Sequence, residues 1–158
     1  MRQGLQLIHG AGAAGSSGSR PISVVIVEDH KTMRRGLRML LAQEQDIEVV
    51  AEAGDLATAL QDVRRLHPRV LVLDLLLPDG SGLDAIAPLR VGEPDTQIVC
   101  LTMQDSPAFA KRALDAGAVG FVLKDTAEVE LGDAVRDAAR GERYTSSRMA
   151  TILAALER

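Results

Sequence analysis

A chain of 158 residues is long enough for one domain with a full hydrophobic core. Apolar residues make up 46% and charged residues 25%, as in an ordinary globule, but aromatics are only 2%, so Val, Leu, Ile and Ala must fill the interior. A net charge of −4 argues against a generally nucleic-acid-binding surface, and a single cysteine, Cys100, excludes an intramolecular disulfide.

Residues 1–20 are dominated by Gly, Ala and Ser. Such a composition buries too little surface to offset its ordering entropy, and it reads as a flexible leader or expression remnant. Its apolar patch, Leu5–Ile8, is shorter than the ~7–15-residue core of a secretory signal. No apolar stretch in the chain approaches the ~20 residues of a membrane span. Together with the lone cysteine, which reads as a small buried hydrophobe, this points to the cytoplasm.

From Pro21 onward, short β-branched runs alternate with helical periods. Ile22–Val27 is continuously apolar but for Ser23, as expected of a strand covered on both faces. Met33, Leu37, Leu40 and Leu41 then recur at helical spacing. Ile47–Ala53 is a second strand, Asp55 is placed to cap a helix, and His67-Pro68 ends that helix. Val70–Leu73 is a third strand, followed by a brief helix near 83–90 that Pro88 should shorten.

Gln97–Leu101 is a fourth strand, Ser106-Pro107 opens a helix and Gly117 closes it. Val119–Leu123 is a fifth. Asp125 and Glu128 have capping-box spacing ahead of Leu131, Val135 and Ala138, and Gly141 ends that helix. The division is thus a leader over 1–20, a body over 21–143, and a tail over 144–158 that forms an extra helix or the start of a linker. Alternating strands and helices predict an α/β, doubly wound, five-stranded parallel sheet of flavodoxin-like order 2-1-3-4-5, with helices on both faces.

Polar groups gather at the ends of those strands. Glu28 and Asp29 follow the first, Asp74 the third, Thr102 the fourth and Lys124 the fifth. Open α/β sheets place ligands at this carboxyl edge, and order 2-1-3 sets the first and third strands side by side. Three convergent acids repel one another at neutral pH and need either a proton or a hard cation. Mg²⁺ suits such an oxygen donor set. Asp74 is the natural nucleophile toward a phosphoryl group, Lys124 a positive charge for its oxygens and Thr102 a hydroxyl donor. Taken singly, each reads as a turn residue or a solvated charge; the ordered set reads as a site. His30 could tune this pocket but reads better as a capping neighbour, and Met33 as core or helix filler.

The motifs Val25–His30, Val72–Leu83, Leu101-Thr102-Met103 and Ala116–Asp125 resemble the receiver domain of two-component response regulators. The last of these, with Gly141–Tyr144 after it, is most similar to the NarL/FixJ (LuxR-like) subfamily. That resemblance implies that a sensor histidine kinase phosphorylates Asp74. It implies Mg²⁺ held by Asp29, Asp74 and the backbone carbonyl of Leu76, with Glu28 acting mainly through water. It gives Thr102 and Lys124 the phosphoryl contacts, Thr102 and Phe121 the switch positions, and Pro78 and Gly82 the loop beside the acceptor. Phe121 stands where a Tyr is common, so switching there would work by packing, and Met103 is bulkier than the usual small residue.

The same resemblance implies homodimerisation on activation. It implies DNA contact only through a C-terminal helix-turn-helix domain absent from this chain, which is then an excerpt of a longer regulator or a stand-alone receiver. The protein would not be an enzyme, beyond taking phosphoryl onto its own Asp and catalysing its removal. Two other readings compete: a phosphorylation-independent, receiver-like interaction module, and a haloacid-dehalogenase-like phosphotransferase. The latter needs a second Asp two residues after the nucleophile, where this chain has Leu76.

Overall fold

The computed structural model describes residues 20–157. The leader over 1–20 therefore lies, but for Arg20, outside the described residues. The strands and helices, in chain order, are β1 (Ile22–Val27), α1 (Lys31–Ala42), β2 (Ile47–Ala53), α2 (Leu56–Leu66) and β3 (Val70–Asp74). A two-residue hairpin follows, β4 (Leu76–Leu77) and β5 (Gly80–Ser81), and then α3 (Gly82–Gly92), β6 (Gln97–Thr102) and α4 (Pro107–Ala116). β7 (Gly120–Leu123), a 3₁₀ turn (Lys124–Thr126), α5 (Ala127–Ala139), β8 (Tyr144–Thr145) and α6 (Ser147–Leu156) complete it.

The main sheet is parallel, in order β2-β1-β3-β6-β7-β8. The first five strands in that order match the doubly wound topology expected. The sixth, β8, was unforeseen, because two residues carry no period. It is held by Tyr144 N donating to Val119 O and Ser146 N donating to Phe121 O. Alternate residues of each strand face opposite layers. Val24, Ile26, Val72 and Leu101 pack against Leu37 and Leu41 of α1 and against Leu131 and Val135 of α5. Val25, Val27, Leu73 and Cys100 pack against α2, α3, α4 and Met149 of α6. Cys100 is wholly buried, which pushes its thiol pKa up and leaves it an inert hydrophobe.

Local chemistry explains most element ends. Asp55 Oδ1 accepts from Thr58 N at 2.7 Å, Ser106 caps α4 ahead of Pro107, and Gly117 leaves the helix at φ 121°. Two expectations are corrected. α3 runs through Pro88 to Gly92; Pro88 and Asp84 lie on its exposed side, where a carbonyl deprived of its helical donor costs least. Asp125 and Glu128 do not form a capping box: Asp125 lies inside the 3₁₀ turn, and α5 starts after Thr126 without a side-chain cap. The Asp125 carboxylate instead accepts from Arg148 of α6 at 3.0 Å.

Candidate phosphoacceptor site

The parallel register brings four strand ends to one edge. Val27 pairs with Leu73, Asp74 with Leu101, and Thr102 with Leu123, so the residues that follow converge on one cleft of about 340 Å³. Glu28, Asp29, His30, Met33, Asp74, Leu76, Thr102, Met103 and Lys124 line it. The structure thus brings the acids, the hydroxyl and the lysine named from the sequence into one cleft. Met33 packs half-buried against the core, as expected, and also lies on the wall of the cleft.

One carboxylate oxygen each from Glu28, Asp29 and Asp74 lie within 4.8 Å of one another. Glu28 is fully buried, Asp74 is 2% exposed and Asp29 is open to solvent. Lys124 Nζ stands 2.6 Å from Glu28 Oε1 and 3.2 Å from Asp74 Oδ2, bridging the two buried acids. The ammonium approaches Glu28 Oε1 off the hydrogen-bonding direction, so that buried oxygen has a counter-charge but no hydrogen-bond donor. Glu28 Oε2 accepts from His30 N at 3.1 Å, and Asp74 Oδ1 accepts from Leu76 N at 3.1 Å. His30 occupies the N-cap position of α1 but gives its helix no side-chain cap.

Electrostatics follow from this packing. Burial pushes the Asp74 pKa up to about 6; the Leu76 amide and Lys124 oppose the rise, and the charge of Glu28 adds to it. Burial alone would lower the Lys124 pKa, but the close negative charges of Glu28 and Asp74 outweigh it and raise the pKa. A buried carboxylate oxygen without a donor, beside two more carboxylates, is an all-oxygen donor set suited to a hard divalent cation, and these residues fit Mg²⁺.

Thr102 is buried, and its hydroxyl oxygen accepts from Gln104 N at 3.1 Å, which leaves the hydroxyl proton to donate. Phe121 is fully buried in the α2–α3–α4 layer of the core. Met103 is 65% exposed at the rim. Gly82 serves close approach: a Cβ there would collide with the Asp74 carbonyl oxygen, and its N–H donates to Leu75 O at 3.0 Å. Arg34 went unnoticed in the sequence. Its guanidinium donates to the Glu28 carbonyl at 2.8 Å, a contact signalled only by its position on the site-facing first half of α1.

A doubly wound sheet with an acid cup, a threonine and a lysine on successive strand ends defines a phosphoacceptor class of regulatory domain. Residues 24–136 match the family described as the response regulator receiver domain, and the chain belongs to that family. It is of the NarL/LuxR type. It is 43% identical over 129 residues to the nitrate/nitrite response regulator protein NarP of Escherichia coli K12, a match covering 82% of this chain and 60% of NarP. Among solved structures, a two-component response regulator of the LuxR family from Aurantimonas superposes with TM-score 0.83 at 33% identity, covering 87% of this chain and 98% of that one. A structure of two RcsB dimers bound to two parallel DNAs gives TM-score 0.78 at 29% identity, over 85% of this chain and 68% of that one. The chain spans about 60% of the length of the curated relatives it matches. Among the described residues no helix is long and apolar enough to cross a membrane.

Proposed function

We propose that Asp74 accepts a phosphoryl group from the phosphohistidine of a sensor kinase and that the domain changes shape in response. One observation carries this reading. The Asp74 carboxylate, buried at a sheet edge, has Lys124 Nζ at 3.2 Å and two further carboxylates within reach, in an open cleft. In the transfer an Asp74 oxygen bonds to phosphorus as the phosphorus–nitrogen bond breaks, and the electron pair stays on the imidazole nitrogen. Lys124 then meets the phosphoryl oxygens with its charge, and the Thr102 hydroxyl donates to them. Glu28, Asp29, Asp74 and the Leu76 carbonyl would hold Mg²⁺, which when bound draws off charge from the phosphoryl oxygens. The dehalogenase-like reading finds no support, since Leu76 offers Asp74 only a backbone amide and no acid.

Movement of Thr102 and of the turn carrying Lys124 would bias two packings of the α4–α5 side, with Phe121 repacking without a hydroxyl. By analogy with NarP and the DNA-bound RcsB dimers, the activated domain pairs with a second copy and controls transcription through a helix-turn-helix domain outside these residues. We take residues 21–143 as the receiver unit and 144–158 as the segment leading toward that output. The domain turns over no external substrate and works in the cytoplasm, in keeping with a reduced Cys100. Exposure to acetyl phosphate with Mg²⁺ should add one phosphoryl group by intact mass, and Asp74→Asn should abolish it. Undiminished labelling of the Asn variant overturns the assignment.

A further inference from the structure

Glu28 and Asp29 share a peptide just beyond the end of β1, where the sheet no longer supplies partners on both sides. Glu28 N still donates to Ala53 O at 3.0 Å. The Glu28 carbonyl finds its partner on a helix: Arg34 Nη1, from the first half of α1, donates to it at 2.8 Å. The guanidinium is sheltered, with the Arg34 side chain 19% exposed, and is steadied by Glu52 of β2, whose Oε1 lies 3.9 Å from Nε. Gly54, just past β2, makes the room. A Cβ at Gly54 would stand 2.9 Å from Nη1.

This arrangement has a consequence for the acid cup. A peptide group is planar, so fixing its oxygen also fixes the amide on its far side, where Asp29 begins. The charge-assisted bond from Arg34 therefore holds the plane of the peptide from whose two ends both carboxylate-bearing residues depart. Elementary electrostatics alone would predict the opposite of a helpful role, because a guanidinium near the cup repels a divalent cation. The two effects differ in sign.

We propose that Arg34 is a positioning residue for the cation: it orients the Glu28–Asp29 peptide so that their carboxylates converge with Asp74, and the absent side chain at Gly54 leaves the guanidinium its place. This rests on reading the cup as a Mg²⁺ site. The test is Mg²⁺ titration by calorimetry on the unsubstituted protein and on Arg34→Met, Arg34→Lys and Gly54→Ala. Arg34→Met removes charge and donors at similar length, and its Mg²⁺ affinity should fall about tenfold, the scale seen when partners that orient metal ligands are lost. Arg34→Lys keeps the charge without the planar fork and should also weaken binding. Gly54→Ala leaves the charge in place, displaces the guanidinium and should weaken binding about threefold on the same reasoning.

Amide hydrogen exchange over residues 28–30 without metal should accelerate in Arg34→Met, a change that loss of helix packing elsewhere would not confine to this loop. Unchanged or tighter Mg²⁺ binding by Arg34→Met and Gly54→Ala overturns the proposal. Absence of Mg²⁺ binding in the unsubstituted protein instead overturns the reading of the cup itself, and the two failures are distinguishable.

Discussion

Two buried acids of this molecule each contact a residue of the same 3₁₀ turn, Glu130 through Thr126 and Asp74 through Lys124, and their surroundings are opposite. Glu130 of α5, 8% exposed, accepts from Thr126 Oγ1 at 2.5 Å, Ser147 N at 2.9 Å, Tyr144 OH at 3.1 Å and Ser147 Oγ at 3.2 Å. Burial would raise its pKa, but those donors outweigh it and hold it down to about 2. Asp74 has one backbone amide, one shared lysine and a neighbouring carboxylate, and burial carries its pKa up to about 6. The first acid is fully supplied with donors and ties α5 to the start of α6. The second is undersupplied, which suits a group that awaits a cation and a phosphoryl group. Burial of a carboxylate by itself therefore says little; the count of donors aimed at it separates a structural acid from a reactive one.

The comparison breaks most readily at Glu130. Glu130→Ala strands the Thr126, Tyr144 and Ser147 donors and should cost about 3 kcal/mol, a fall of about 10 °C in Tm by calorimetry. Its folded pKa lies below the ordinary 4.5, so its stabilisation is fully present above pH 4.5 and is lost as the pH falls through 2. The gap between variant and parent should accordingly close on acidification. A gap that persists at pH 2 would mean that packing, not charge, is at stake.

Asp74→Asn should act in the other direction. With its folded pKa raised from 3.8 to about 6, Asp74 holds its proton more tightly in the folded state, so metal-free protein loses stability as the pH rises from 4 past 6. The Asn variant avoids that loss and should gain about 2 kcal/mol at pH 7 but nothing at pH 4, by urea denaturation. Mg²⁺ at ten times its Kd should restore about 1.4 kcal/mol to the parent and much less to Asp74→Asn. Equal stability of the two proteins at pH 7 without metal would show that the acid cup is not strained.

The smallest effect concerns the rim. Met103 projects at the mouth of the cleft beside Thr102, where it can screen the phosphorylated aspartate from water. Met103→Ala should shorten the acyl-phosphate lifetime severalfold, followed by decay of the labelled mass. An unchanged or longer lifetime rejects a screening role.

The strands and caps were legible because their signals are local. Ile22–Val27, apolar but for Ser23, and Val70–Leu73 announce themselves by continuous apolar character, and Asp55, Ser106 and Gly117 act within one helical turn of their own position. The acid cup was legible too, since β-strand ends project to a common edge in any parallel sheet, and the order of types along the chain survives folding. Asp125 shows where such reading stops. Its spacing to Glu128 suits a cap, but the turn that presents Lys124 to the cup directs Asp125 outward to Arg148.

By itself the sequence determined the alternation of elements, the doubly wound sheet and the identity of the acids, hydroxyl and lysine at its edge, because periodicity and capping depend on neighbours a few residues away. Only the tertiary structure decided that Tyr144–Thr145 would extend the sheet, that Arg34 would seize the Glu28 carbonyl and that Glu130 would gather donors from α6. Those contacts depend on where a helix lands on a sheet, and no pattern of residue types along the chain encodes that distance.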